Sequence, residues 1–182
     1  MVNSQTILVE ASEHYQKKSY RNKCQLIGPN GSSFFSVPLQ KGKHNKTSIR
    51  EVRISYTDMW SSQFLKLCQS NYRKSPYYDF IIDDLTSILN EKYTYLFDLN
   101  MALLSWMHQF LQLDNDIKLT NVYQTESDPQ IEDLREYFKP NKSLDIAASP
   151  YPQVFLEKHG FLANMSILDL LFCCGRESVN YL

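Results

Sequence analysis

A chain of 182 residues, 43% hydrophobic and 21% charged, is long enough to bury a full core and too apolar to be disordered throughout. Its net charge of −1 excludes a dedicated nucleic-acid binder, which carries a strong basic excess, yet leaves room for a local cationic patch facing a small phosphorylated molecule. No cationic-then-apolar leader opens the chain, and the richest apolar stretch, residues 101–107, falls far short of the roughly 18 residues of a spanning helix, so the expectation is a cytoplasmic protein without a transmembrane segment.

The first predicted element is a buried strand on the apolar run Ile7-Leu8-Val9. Directly behind it, residues 14–25 hold four cations (Lys17, Lys18, Arg21, Lys23), three amides (Gln16, Asn22, Gln25) and two tyrosines. A loop leaving a strand end is where open α/β sheets place ligand contacts, and these donors suit a phosphate or carboxylate. A solvated basic turn with Tyr15 and Tyr20 packed beneath it accounts for the same residues. Glu10 and Glu13 stand beside this loop, where one serves as general base if burial raises its pKa, or else both balance the lysines. His14 completes the set of candidate catalytic groups.

Segments 24–27 and 34–37 flank Gly28-Pro29-Asn30-Gly31, a turn sequence that predicts a β-hairpin. Pro38 ends the second strand. Residues 41–47 form a polar basic loop, a candidate lid, before a short strand at 49–54. From Thr57 the period changes: Thr57 or Asp58 caps a helix carrying Trp60, Phe64, Leu67 and Cys68. A second helix starts at Ser75-Pro76 and buries Ile81, Leu85, Ile88 and Leu89. A third, over 94–113, carries His108 on a face with Phe97, Met101 and Leu104, which favours a packed histidine over a catalytic one. A strand over 117–123, a short helix over 129–138 and a loop over 139–152 follow. Asp133 and Arg135 do not share a helical face, so their pairing is not implied. Last comes a helix capped by Ser166, with Asp169 three residues on as its capping partner and Gly175 as its stop.

Cys24, Cys68, Cys173 and Cys174 show no CxxC spacing and read as reduced structural thiols. Neither GxSxG, GxxxxGK[ST] nor HExxH occurs, and no Cys/His pair has metal-ligand spacing. No metal and no cofactor are expected.

Two blocks carry a family resemblance. One comprises Glu10, residues 13–17, Tyr20 to Cys24, the 28–31 turn and Val37-Pro38; the other comprises residues 151–155, Gly160-Phe161, Asn164 and residues 166–172 with Gly175. Separated by a helical middle with Trp60, Tyr72, Pro76 and Asp98-Leu99-Asn100, they resemble the WbqC-like family of bacterial proteins. That resemblance implies a link to surface polysaccharide such as O-antigen and, as a suggested activity, transfer of an aminoacyl or other group to a sugar. The residues matching its pattern in polar surroundings are His14, Gln16, Lys17, Arg21, Asn22, Tyr151 and Gln153. Lys23 stands where members carry arginine, and Phe64 where many carry histidine. Members open with a further strand before the equivalent of Ile7, which this chain is expected to lack.

The reading is a single α/β domain over residues 1–182, with a small mixed sheet, an N-terminal β-hairpin and a helix-rich middle; α+β is the alternative. The expected function is a transferase acting on a nucleotide-linked or phosphorylated sugar, with Gln16, Lys17, Arg21, Asn22, Lys23, Tyr151 and Gln153 binding the ligand. The alternative is a non-catalytic anion-binding or scaffold protein, a degenerate member of the family. The expected partner is a small anionic ligand such as a nucleotide sugar, not nucleic acid.

Overall fold

The computed structural model describes residues 4–41, 46–123, 130–140 and 149–182. In chain order these form β1 (Thr6–Val9), β2 (Lys23–Gly28), β3 (Gly31–Ser36), α1 (Trp60–Tyr72), α2 (Tyr78–Asn90), α3 (Leu96–Phe110), β4 (Asp116–Leu119), α4 (Leu156–His159) and α5 (Ile167–Cys174), with 3-10 turns at Tyr20–Asn22, Ile49–Glu51 and Gly175–Tyr181. The class is α/β, and the strands are mixed in direction: a parallel pair, β1 with β4, and an antiparallel hairpin, β2 with β3.

The hairpin follows its turn chemistry. Pairing runs from Lys23↔Ser36 to Gly28↔Gly31, leaving Pro29-Asn30 as the loop, and Gly31 takes φ +100°, a conformation that costs a side-chain-bearing residue strain. The parallel pair joins residues far apart in sequence, from Thr6↔Asp116 to Val9↔Leu119. β4 is shorter than the predicted 117–123. The ladder stops where β1 does: Thr120 N donates to Val9 O, and the Thr120 side chain then turns back toward Glu10 and Ala11.

Residues 49–54 are a 3-10 turn with single bridges rather than the predicted strand. Their backbone bonds go to three different segments: Ile49 N to Glu13 O, Gln40 N to Arg53 O, and, at the start of α3, Leu96 N to Val52 O with Ile54 N to Thr94 O. Helix starts also shift. α1 begins with Met59 at its cap position and no side-chain cap, while Thr57 bonds Ser55 instead of capping. Ser75 donates its hydroxyl to Tyr72 O, which closes α1 and leaves α2 to start at Tyr78.

The predicted stripes hold. Trp60, Phe64, Cys68 and Tyr72 of α1 and Ile81, Leu85 and Leu89 of α2 are buried. They meet α5, where the Phe172 ring stacks on Tyr72 with centroids 4.9 Å apart and lies 5.7 Å from Tyr78. Gly175, at φ +57°, ends α5 against the Tyr77 ring; an added Cβ would lie 2.5 Å from that ring.

Residues 130–138 form turns, not the predicted helix, whose first residue, Pro129, lies outside the described residues. Because the chain turns there, Asp133 and Arg135 converge and pair, at Nη2–Oδ2 2.6 Å. Most of the candidate lid, residues 42–45, and of the 139–152 loop, residues 141–148, likewise lie outside the described residues. His108 is half-buried and its Nε2 meets Asn115 O and Oδ1 at 2.8 and 2.7 Å. All four cysteines are free thiols. Burial pushes Cys24, Cys68 and Cys173 up to about 12.

Candidate functional site

The register Val9↔Leu119 ends both parallel strands together, so the chain leaves each in the same direction and residues 10–16 and 120–123 gather at one end. Open parallel sheets bind ligands there. Glu10 ties the two exits: its Oε1 accepts from Thr120 Oγ1 (2.6 Å) and from Ser12 N (2.8 Å), while Thr120 Oγ1 accepts from Ala11 N (3.1 Å). The other oxygen faces Arg135 Nη1 at 3.5 Å. Arg135 is itself gripped by Asp133 and lies over the Tyr123 ring, 5.0 Å from its centroid. Hydrogen bonds from the Arg135 side chain and backbone hold the Asp133 carboxyl down at about 2, and the same pairing raises the Arg135 guanidinium.

Beside it, Arg21 forks onto Glu13, with Nε donating to Oε1 at 2.5 Å and Nη2 donating to Oε2. Glu13 is buried. Behind this pair Tyr15 donates its hydroxyl to Asn22 Oδ1 (2.9 Å), and Asn22 Nδ2 donates to Val37 O (3.0 Å). Asn100 Nδ2 donates to Arg21 O, pinning the Tyr20–Asn22 turn to α3. Burial raises the Tyr15 phenol, against the lowering effect of Arg21. In front of the pair is a pocket of about 220 Å³ lined by Glu13, His14, Tyr15, Gln16 and Tyr123. Gln16 Nε2 donates to Glu136 Oε1 at 2.7 Å. His14 is exposed; its backbone bridges to Ser48 and its ring makes no hydrogen bond among the described residues.

The structure thus brings Glu10, Glu13, His14, Gln16 and Arg21 to one end of the parallel pair. Asn22 stands behind as a support. Lys17 is exposed, and Lys23 sits on the hairpin with Nζ 5.1 Å from the Phe34 centroid. Tyr151 and Gln153 lie elsewhere, around Asp169.

Asp169 is fully buried, and its carboxylate accepts from Tyr72 Oη at Oδ1 (2.8 Å) and from Tyr151 Oη (2.6 Å) and Gln153 Nε2 (3.1 Å) at Oδ2. Tyr72 Oη in turn accepts from Ile27 N (3.0 Å), and Gln153 bonds Leu162 N and O. Burial raises the Asp169 pKa, while the three donors pull it down. This replaces the expected capping role: Ser166 Oγ accepts from Leu168 N (3.4 Å), and Asp169 turns into the core because its neighbours on α5 are all buried there. The signal was present in the sequence, since a lone carboxylate inside Ile-Leu-Asp-Leu-Leu-Phe sits on a helix too apolar to expose it.

Among the described residues no three His, Cys, Asp or Glu side chains converge as a metal site. No described helix is long and apolar enough to cross a membrane.

The chain belongs to the WbqC-like protein family, whose sequence profile matches residues 1–146. Residues 151–175, the second block of the resemblance, lie beyond that match. The chain is similar to the uncharacterised protein Rv1507c of Mycobacterium tuberculosis (strain H37Rv), with 26% identity over 196 residues that cover 92% of this chain and 83% of that protein. No solved structure matches the chain.

Proposed function

We propose, from this family membership, that the protein is a cytoplasmic transferase acting on a nucleotide-linked or phosphorylated sugar in bacterial surface-polysaccharide synthesis. The pocket at the shared end of β1 and β4 is its site. One observation carries the proposal: an imidazole with no hydrogen bond among the described residues, His14, lines that pocket together with a carboxylate, Glu13, whose position the Arg21 fork fixes. Imidazole is the side chain best suited to move a proton near neutral pH. In an acyl transfer, a sugar amine forms the new N–C bond as the bond between the acyl carbon and its leaving group breaks. His14 takes the proton the amine loses and returns it to the leaving group. Gln16 and Tyr123 orient the substrate, and the exposed Lys17 and Lys18, next in the chain after Gln16, meet the phosphate as point charges.

Calorimetry and turnover assays against a panel of nucleotide sugars, with an amino-sugar acceptor and an activated acyl donor, test this reading. His14→Ala should keep binding and lose turnover by about 100-fold or more. Lys17→Ala/Lys18→Ala should weaken binding about tenfold. A wild-type protein that binds no member of the panel refutes it. A second reading, a non-catalytic binding protein, is favoured by the full engagement of both arginines at this end by Glu13, Asp133 and Glu10. That reading predicts binding with no turnover in the wild type.

A further inference from the structure

A cavity of about 550 Å³ opens between α2 and α3, bounded on one side by Arg176 of the C-terminal 3-10 turn, and shares no lining residue with the pocket at the β1/β4 end. Its size falls in the range of small-molecule sites. The floor is apolar: Ile88 of α2, Ala102 of α3, and the rings of Trp106 and Phe110, whose centroids lie 5.8 Å apart at 35°. Trp106 is fixed in place, because its Nε1 donates across the groove to Asp84 Oδ2 at 3.1 Å. The rim is polar. Ser105, Gln109 and Arg176 are exposed along it, and their side chains make no hydrogen bond or ion pair among the described residues.

A sugar ring presents two kinds of surface, a weakly polar C–H face and a girdle of hydroxyls that each donate and accept. A half-exposed aromatic ring held at a fixed angle suits the first. Amide, hydroxyl and carboxylate groups, which cover both donor and acceptor roles, suit the second. Arg176 adds an uncommitted planar cation at the rim, the group that pairs best with a carboxylate or phosphate. A partner helix would instead want a continuous apolar strip, and this one is broken by Ser87, Ser105 and Gln109. We propose that the groove between α2 and α3 binds a saccharide carrying an anionic substituent, its ring on Trp106 and its acid on Arg176. This stands independently of the reaction assigned to the other pocket.

The chain has two tryptophans, and Trp60 is buried, so ¹⁵N-resolved indole signals report on the groove with an internal control. The full chain is titrated with glucuronic acid, glucose 6-phosphate, glucose and acetate. Glucuronic acid or glucose 6-phosphate should shift the Trp106 indole saturably and leave Trp60 in place. Glucose should bind about tenfold more weakly, and acetate should leave the signal unmoved. Arg176→Gln, at an exposed position, should erase the preference for the acidic sugars over glucose. The proposal is overturned if neither acidic sugar gives a saturable shift, if acetate matches them, or if Arg176→Gln keeps the preference. It is equally overturned if the groove proves to be a self-association surface, shown by a concentration-dependent dimer that Trp106→Ala abolishes.

Discussion

Replacing Tyr72 by phenylalanine removes one oxygen atom and strands two buried groups. The ring survives, so its stacking on Phe172 at 4.9 Å is kept and no cavity opens. What is lost is a hydroxyl that accepts from Ile27 N at 3.0 Å and donates to Asp169 Oδ1 at 2.8 Å. Both partners are buried, and a buried polar group left unpaired costs about 1–3 kcal/mol. The two together should cost about 3–4 kcal/mol, which in a chain of this size lowers Tm by about 10 °C.

The loss should also depend on pH. Burial raises the Asp169 pKa above the ordinary carboxylate value that it has in the unfolded chain. The folded state therefore binds that proton more tightly, and stability falls as pH rises from the ordinary value through the raised one. The Tyr72 hydroxyl opposes that rise by stabilising the charged form. Its removal widens the window, so the variant should lose more at about pH 7 than at about pH 4.5. Equilibrium urea unfolding of wild type and Tyr72→Phe at both pH values measures this. A loss below about 1 kcal/mol at neutral pH, or the same loss at both, refutes the account of Asp169 as a buried hub.

Arg21→Gln leaves Glu13 buried without its fork and should cost about 2–3 kcal/mol in urea unfolding; full stability in that variant would show that the pair contributes nothing. Gly175→Ala combines a left-handed φ of +57° with a Cβ 2.5 Å from the Tyr77 ring and should cost about 3 kcal/mol; wild-type stability would contradict the close approach. Cys24, Cys68 and Cys173, pushed up to about 12 by burial, should react with a disulfide reagent at neutral pH only on the timescale of unfolding; prompt labelling of any of them in folded protein would refute that assignment.

The parts of the fold that the sequence made legible are those decided within a few residues. Gly28-Pro29-Asn30-Gly31 specifies its hairpin because the turn requires a positive φ that Gly31 supplies. The stripes of α1 and α2 follow a 3.6-residue period that only one buried face can explain. Ile49, Val52 and Ile54 mimic a strand, yet Ile49 answers to Glu13 while Val52 and Ile54 answer to residues 94–96, a pattern no window of the sequence contains. The pairing of β1 with β4 is hidden for the same reason, since its partners lie more than a hundred residues apart.

The candidate site divides along that same line. The density of cations in residues 14–25 is visible in the sequence, but an anion-binding role for Arg21 depends on which carboxylates stand opposite it. Glu13 lies only eight residues from Arg21, whereas the carboxylate of Glu10 meets Arg135 from 125 residues away. Once those pairs form, both arginines fix the two strand exits in place; among the described residues His14 lines the pocket with no hydrogen bond on its ring, and Lys17 and Lys18 stand exposed just after Gln16 in the chain. Tyr151, Gln153 and Asp169 show the converse. Tyr151 and Gln153, expected to bind ligand, and Asp169, expected to cap its helix, face one another, joining β2, α1 and α5 through hydrogen bonds that converge on a fully buried carboxylate. Apolar contacts between α1 and α5 would tolerate more than one packing; a buried carboxylate with three donors tolerates far fewer. Polarity in this chain therefore has two settings, and exposure separates them: the enclosed network holds α5 against the hairpin and α1, and the open end of β1 and β4 carries the pocket proposed as the site.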